Sequence, residues 1–140
     1  MATATPDVEG LMQDYQELWN EKQYGKIPEV VSESITVHDP SYPTVVEGRD
    51  GLEAYLRELH EGFPDFHVTI DEMLASGDTV MAEWTVTGTH EGQFGEFPPT
   101  GNAMELHGMD TVRLADGEIQ EHRVYFDVRE MFEQLDLADG

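Results

Sequence analysis

The residues with the clearest capacity for acid/base chemistry are in the segment VYFDVREMFEQL, Val124 to Leu135. Asp127 stands where an apolar run gives way to helical spacing, and Asp127 to Glu130 has the D-x-x-E pattern of a capping box. An aspartate in such a pattern accepts hydrogen bonds from the first free N–H groups of a helix. A carboxylate in a dry pocket can also remove a proton from carbon, because burial makes a carboxylate more basic. The sequence therefore leaves two roles open for Asp127, a helix N-cap and a catalytic base.

The strand that leads into Asp127 is expected to form a hairpin with the strand before it. The Asp-Gly pair at 116–117 is a strong signal for a two-residue turn. Regular antiparallel pairing from that turn puts Asp110 opposite Arg123. The same pairing puts Tyr125 and Asp127 on the face that Asp110 occupies. Leucine, isoleucine and valine residues share this face, so we expect these polar side chains to point into the core side of the sheet.

Asp110 and Arg123 have two interpretations if they face each other in this way. A buried ion pair that ties the two strands is one, because buried charges need partners. The other is a part in the site, because Arg123 is close to Asp127 on the same face. A cation there would weaken Asp127 as a base.

Three further residues are candidates for the lining of a pocket. Tyr125 could donate a hydrogen bond to a carbonyl, or it could be a core tyrosine with a satisfied hydroxyl. Trp84 is either a core residue or a stacking surface, and in a cup-shaped sheet it can be both. His38 precedes Asp39-Pro40 at the end of a strand. Its imidazole could bind a ligand or form a local hydrogen bond.

The remaining histidines do not form a recognisable metal site. The chain has six histidines and no H-E-x-x-H motif or closely spaced ligand triplet, so we expect no metal. His107 and His122 have the opposite strand parity from Asp127, so we expect both on the outer face.

The elements that must position these residues indicate an α+β domain spanning residues 1–140. Apolar residues at helical spacing predict a helix from Thr5-Pro6 to about Lys22, and another over RDGLEAYLRELHEGF. From Phe66 onward the apolar residues alternate, and four strands and a last helix are predicted at roughly 66–75, 79–90, 103–115, 118–126 and 128–135. Helices laid over one apolar face of a long antiparallel sheet would make a cup.

Two loops matter for this cup. A three-residue loop at 76–78 is predicted, because it aligns Ile70 with Trp84 and Val68 with Val86. The segment HEGQFGEFPPTG, His90 to Gly101, is expected to close the mouth of the cup or to brace a dimer, with Phe94 and Phe97 as anchors.

Composition excludes several classes of function. The 140 residues include 30 Asp and Glu, only seven Lys and Arg, and no cysteine, for a formal net charge of −23. Nucleic acid and anionic membranes would be repelled by such a chain. No apolar run is long enough to span a bilayer, and the N-terminus does not resemble a signal peptide. A cytoplasmic location is therefore expected.

The acidic residues are spread along the whole chain. Self-repulsion of this size destabilises a compact state at low salt, and screening relieves it. We therefore expect a salt-adapted protein from a haloarchaeal type of host.

The order of several short phrases resembles the SnoaL-like polyketide cyclases, also called ester cyclases, of the NTF2-like superfamily. The matching phrases are GTHEGQF, PPTG, VRLADGEIQEH and FDVREMFEQL, with VHDP and FPDFHV earlier in the chain. The resemblance implies a cone-shaped barrel, a curved and mostly antiparallel sheet packed against three to four helices. It also implies a homodimer through the outer face of the sheet, and a pocket for a small-molecule ligand.

The resemblance further implies a cyclase or isomerase that performs an aldol-type reaction on a carbonyl compound. It makes Asp127 the acid/base and implies no metal or organic cofactor. Arg123 stands where the family often has tryptophan, which favours a more polar or anionic ligand. The alternative is a non-catalytic ligand-binding or dimerisation module, in which Asp127 caps a helix and Asp110 and Arg123 form a structural ion pair.

Overall fold

The structure is a computed structural model that describes residues 6–137. Its helices are α1 (Pro6–Glu21), α2 (Ile27–Val30), α3 (Gly48–Gly62) and α4 (Val128–Gln134), with a 3₁₀ turn at Tyr24–Lys26. Its strands are β1 (Val31–His38), β2 (Val46–Glu47), β3 (His67–Ser76), β4 (Thr79–Thr89), β5 (Ala103–Ala115) and β6 (Glu118–Tyr125). The expected α+β class is confirmed. Within the described range, no helix is both long and apolar enough to cross a membrane.

One curved, unclosed sheet carries all six strands, in the order β2-β1-β6-β5-β4-β3. Strand β1 runs parallel to β6, and every other neighbouring pair is antiparallel. Helices α1 and α3 bury their apolar faces against the inner side of this sheet. In α1 the buried residues at helical spacing are Met12, Tyr15, Leu18 and Trp19, and in α3 they are Leu52, Tyr55, Leu56 and Leu59.

The hairpin of β5 and β6 contains a β-bulge in β6. Beyond this bulge, the side chains of β6 point to the opposite face of the sheet from the one expected. Ala115 pairs with Glu118 as predicted, but the register then shifts, so that Asp110 pairs with Val124. One extra residue in one strand moves every later side chain to the other face. His122 therefore points inward, and the expectation that Arg123 lies opposite Asp110 is wrong.

A second bulge corrects the register of the hairpin of β3 and β4. Ser76 pairs with Thr79, so the turn has two residues, and the predicted three-residue loop is wrong. A register shift between Ile70 and Glu72 nevertheless aligns Ile70 with Trp84, as the apolar pattern required.

Candidate active site

A cavity of about 100 Å³ lies between the inner face of the sheet and helices α1 and α3. Its lining is mostly apolar, and both tryptophans of the chain contribute to it. The aromatic lining residues on these elements or directly beside their ends are Tyr15, Trp19, Tyr55, Phe66, Trp84 and Phe126. Phe94 from the 90–101 loop also lines the cavity and packs against the ring of Phe63. This loop therefore borders the cavity through Phe94, whereas Phe97 packs against Phe132 of α4.

A glycine in β5 makes room for one wall of the cavity. Gly108 pairs with Trp84 of β4. A Cβ atom on Gly108 would lie 2.5 Å from the Trp84 ring and 2.5 Å from the Tyr125 carbonyl oxygen. The missing side chain lets the indole lie across β5 and face the cavity.

Three buried polar side chains that line the cavity form a hydrogen-bonded chain. Asp110 Oδ2 lies 2.8 Å from His122 Nε2, and His122 Nδ1 lies 2.8 Å from the Tyr15 hydroxyl. A neutral imidazole with its proton on Nε2 satisfies both contacts, because it donates to Asp110 and accepts from Tyr15. The tautomer is an assignment from this network. Burial raises the pKa of Tyr15, the indole N–H of Trp19 beside the hydroxyl lowers it by less, and the Asp110 charge adds a smaller upward shift. The hydroxyl therefore stays protonated and can donate.

Two polar atoms in this region are buried and have no hydrogen-bond partner among residues 6–137. They are Oδ1 of Asp110 and Nε1 of Trp19. Buried polar groups in folded proteins are nearly always paired. An acceptor and a donor left unpaired beside one cavity are the groups that a bound small molecule would satisfy.

A second polar cluster borders the same cavity. Asp39 follows β1, and its Oδ1 accepts hydrogen bonds from the backbone N–H and the hydroxyl of Ser41, both at 2.8 Å. Its Oδ2 accepts a short hydrogen bond from the Tyr55 hydroxyl. Burial and the Asp39 charge hold the pKa of Tyr55 well above its usual value.

Three residues expected in the pocket are placed elsewhere by the structure. Arg123 and Tyr125 are exposed on the outer face, and Arg123 contacts Glu121 at 3.2 Å. His38 also points away from the cavity, and its Nε2 is 3.9 Å from the Glu121 carboxylate. The bulge in β6 accounts for Arg123 and Tyr125. His38 follows the inward-facing Val37, so strand alternation turns it outward.

The placement of Asp127 in the pocket is also wrong. Its side chain is exposed and does not line the cavity. Its carboxylate accepts a hydrogen bond from the Glu130 N–H at 3.2 Å at the start of α4. In this structure Asp127 is therefore the helix N-cap that the capping-box pattern indicated.

The other candidates divide between the two faces. Trp84 and Asp110 line the cavity. His107 is exposed on the outer face, as expected from strand parity. His122 is inside, and the expectation that it lies outside is wrong. Nothing in the local sequence marks the bulge, so strand alternation alone could not find His122.

Sequence reasoning also missed Tyr15 and the Asp39–Tyr55 contact. Tyr15 lies on the apolar stripe of α1, where helical spacing indicates a core residue. Asp39 precedes a proline at the end of β1, and nothing in the sequence indicates its contact with Tyr55 in α3. Within the described part of the chain, no group of three or more His, Asp or Glu side chains is arranged to hold a metal ion.

Residues 9–135 match the family model described as SnoaL-like polyketide cyclase, and no curated protein matches the chain. TsrD from Streptomyces laurentii has a similar structure, with 21% identity over 94% of this chain and 96% of that one and a TM-score of 0.82. A proposed polyketide cyclase from Acidithiobacillus ferrooxidans has 26% identity over 99% of both chains and a TM-score of 0.80.

A protein from Catenulispora acidiphila, solved with trimethylamine and described as having a ketosteroid isomerase-like fold, is also similar. It has 18% identity over 93% of this chain and 95% of that one, with a TM-score of 0.80. These likenesses confirm the NTF2-like fold that the sequence resemblance implied. The chain belongs to the SnoaL-like polyketide cyclase family.

Proposed function

We propose that the protein is a small-molecule cyclase or isomerase that moves a proton at a carbon next to a carbonyl, with Asp110 as the acid/base. The observation that carries this proposal is the state of the Asp110 carboxylate. It is 8% exposed, His122 holds one of its oxygens, and the other oxygen has no partner in the described chain. A carboxylate fixed through one oxygen keeps the second oriented for proton transfer.

In an aldol-type ring closure, each polar residue of the cavity has a separate role. Asp110 Oδ1 takes the proton from the carbon, and the enolate carbon forms a bond to a second carbonyl carbon. The electrons of that second C=O bond move to its oxygen, which receives the proton back from Asp110. The Trp19 N–H is the unpaired donor that can stabilise the first enolate oxygen. His122 and Tyr15 position the carboxylate.

The proposal gives Asp110 the acid/base role that the family resemblance implied for Asp127. The Asp127 carboxylate is exposed and caps α4. Asp110 instead lines a mostly apolar cavity with aromatic walls, where charge interactions are stronger. The family membership supports the reaction class, and the burial of Asp110 supports the choice of residue.

The expectation of an anionic ligand depended on Arg123 lying in the pocket. Arg123 lies on the outer face and therefore does not support it. None of the seven Lys and Arg residues, all of which fall within residues 6–137, lines the cavity. Two carboxylates do, Asp39 and Asp110. The cavity therefore favours a neutral or cationic molecule.

A ligand-binding protein without turnover is the second candidate. Aromatic walls and carboxylates suit a cation, and the ketosteroid isomerase-like protein from Catenulispora acidiphila was solved in complex with trimethylamine. This alternative does not include the expected ion pair between Asp110 and Arg123, because the two residues do not face each other. It keeps Asp127 as the cap of α4.

We also propose a homodimer through the outer face of the sheet. Four large apolar side chains are exposed on adjoining strands of that face: Leu74, Met81, Met109 and Tyr125. Leu74 pairs with Met81, and Met109 pairs with Tyr125. Met81 and Met109 are diagonal neighbours on β4 and β5, so the two pairs form one apolar patch. An exposed apolar patch of this kind is typical of an interface.

The acid/base proposal is tested without knowledge of the natural substrate. α-Tetralone, a neutral bicyclic ketone, is incubated with the protein in deuterated water, and deuterium uptake next to the carbonyl is followed by NMR. We expect uptake above the buffer rate for the wild type and for Asp127→Asn. We expect Asp110→Asn to lose about a hundredfold or more of the catalysed rate. Equal rates for wild type and Asp110→Asn would overturn the assignment.

A further inference from the structure

The proposed proton transfer uses Asp110, with His122 and Tyr15 behind it, and leaves the Asp39 cluster without a role. We propose that Asp39 and Tyr55 form a second subsite, which binds a hydroxyl group carried by the substrate at the end remote from the reacting carbon. This proposal rests on the proposed function, because it names the class of substrate that the same cavity takes. That class is a neutral ketone with a hydrogen-bond donor at its far end.

The sheet fixes the separation of the two ends. Val37 of β1 pairs with His122 of β6, and Val124 of β6 pairs with Asp110 of β5. Asp39 is two residues beyond Val37, so Asp39 and Asp110 flank Val124 from opposite sides. Neighbouring strands lie about 4.8 Å apart, so the two aspartate backbones are separated by roughly 10 Å. That span suits one molecule of two fused rings.

The Asp39 carboxylate is held by hydrogen bonds within the chain. Ser41 holds one of its oxygens through two hydrogen bonds, and the Tyr42 N–H closes the turn by donating to the Asp39 carbonyl at 3.0 Å. Tyr55 is fixed in turn by the edge-on ring of Tyr42 at 5.0 Å and by Trp19 at 5.7 Å. A subsite fixed in this way loses little entropy on binding.

The direction of the hydrogen bonds determines what the subsite can recognise. A carboxylate oxygen has room for two donors. Oδ1 of Asp39 already has both from Ser41, whereas Oδ2 has one, from Tyr55. The Tyr55 proton is committed to Asp39, so the Tyr55 oxygen can only accept. Asp39 and Tyr55 can therefore accept further hydrogen bonds but cannot donate one. A ligand that binds them must carry an O–H or N–H group.

The same inventory excludes an anionic group at this end. No lysine or arginine among residues 6–137 lines the cavity, and a carboxylate or phosphate beside Asp39 would place two like charges together without a cation. An ether oxygen also lacks a partner here, because it can accept but not donate.

One substitution reverses the direction of these bonds. In Asp39→Asn the amide carbonyl can keep the Ser41 contacts, while the amide NH₂ group donates to the Tyr55 oxygen. The Tyr55 proton is then free to point at the ligand, and the subsite gains a donor. A residue with only a structural role would give no such change in ligand preference.

The test is isothermal titration with two derivatives of α-tetralone, one with a hydroxyl and one with a methoxy group para to the carbonyl-bearing carbon. The wild type is expected to bind the hydroxyl compound about tenfold more tightly than the methoxy compound, the value of one hydrogen bond to a charged group. In Asp39→Asn the ratio of the two dissociation constants is expected to fall toward one. Asp127→Asn is the matched control, at an exposed site outside the cavity, and it should keep the wild-type ratio.

Two results would overturn the proposal: equal binding of both compounds by the wild type, or an unchanged ratio in Asp39→Asn. Circular dichroism checks that each variant is folded. The ratio is a binding measurement and needs no turnover. Failure of deuterium uptake would therefore contradict the role of Asp110. The ratio of the two dissociation constants would still test the Asp39 subsite.

Discussion

His122 Nε2 lies 2.8 Å from Asp110 Oδ2, and one extra residue in β6 is what brings these atoms together. Regular pairing from the turn at 116–117 would put Arg123 beside Asp110 and would leave His122 on the outer face. The cavity would then hold a buried ion pair in place of a carboxylate oriented by an imidazole. The bulge therefore decides which chemistry this cup can perform.

The helix cap at Asp127 predicts a change in stability that is separate from the cavity. Asp127→Ala removes the acceptor of the Glu130 N–H at the start of α4. We expect the free energy of unfolding to fall by about 1 kcal/mol, measured by chemical denaturation. Asp127→Asn should retain most of the stability, because asparagine is an equally good cap. Equal losses in both variants would show that the carboxylate has another role.

The predictions from sequence succeeded where periodicity is the signal and failed where one residue changes it. Strands β3 to β6 and helix α4 begin and end close to their predicted bounds, because alternation over many residues outweighs any single position. The apolar pattern correctly predicted that Ile70 pairs with Trp84. The structure reaches this pairing through a bulge in β3 and not through the expected three-residue loop. No apolar pattern constrained β6 in the same way, because its inward residues include His122. Regular alternation therefore puts Arg123 and Tyr125 on the wrong face.

The buried tyrosines predict a loss of stability in alkali. Burial raises the pKa of Tyr15 and of Tyr55 above the ordinary value of about 10. Their contribution to stability is complete below that value and is lost as the pH rises, because only the unfolded chain ionises there. Each such tyrosine adds a slope of about 1.4 kcal/mol per pH unit above pH 10.

The slope is measured by denaturant unfolding at several pH values in this range. Tyr15→Phe removes one of the two tyrosines and should make the slope shallower. A slope that is the same in the wild type and in Tyr15→Phe would contradict the burial of this hydroxyl in the folded chain.

The outer face predicts the oligomeric state. Met109 is 46% exposed and pairs with Glu83 on β4 and Tyr125 on β6. Met109→Glu adds a charge to the middle of the apolar patch, and we expect it to convert a dimer into a monomer in light scattering. Ala54→Glu is the control, because it adds the same charge at an exposed position on α3. A monomeric wild type would contradict the proposed homodimer.

The net charge of −23 predicts that salt stabilises the fold. Counterions screen the repulsion among acidic side chains, and the effect should continue well beyond physiological ionic strength. Thermal unfolding followed by circular dichroism should give a melting temperature that rises from low to multimolar potassium chloride. A melting temperature that stays constant or falls would contradict the expectation of salt adaptation.

The rate of deuterium uptake by α-tetralone tests the central claim most directly, because it compares two aspartates in the same chain. Asp110 is buried beside His122, and Asp127 is exposed on the cap of α4. The account predicts that Asp110→Asn loses about a hundredfold or more of the catalysed rate while Asp127→Asn keeps it. The reverse pattern, with Asp110→Asn active and Asp127→Asn inactive, would contradict it.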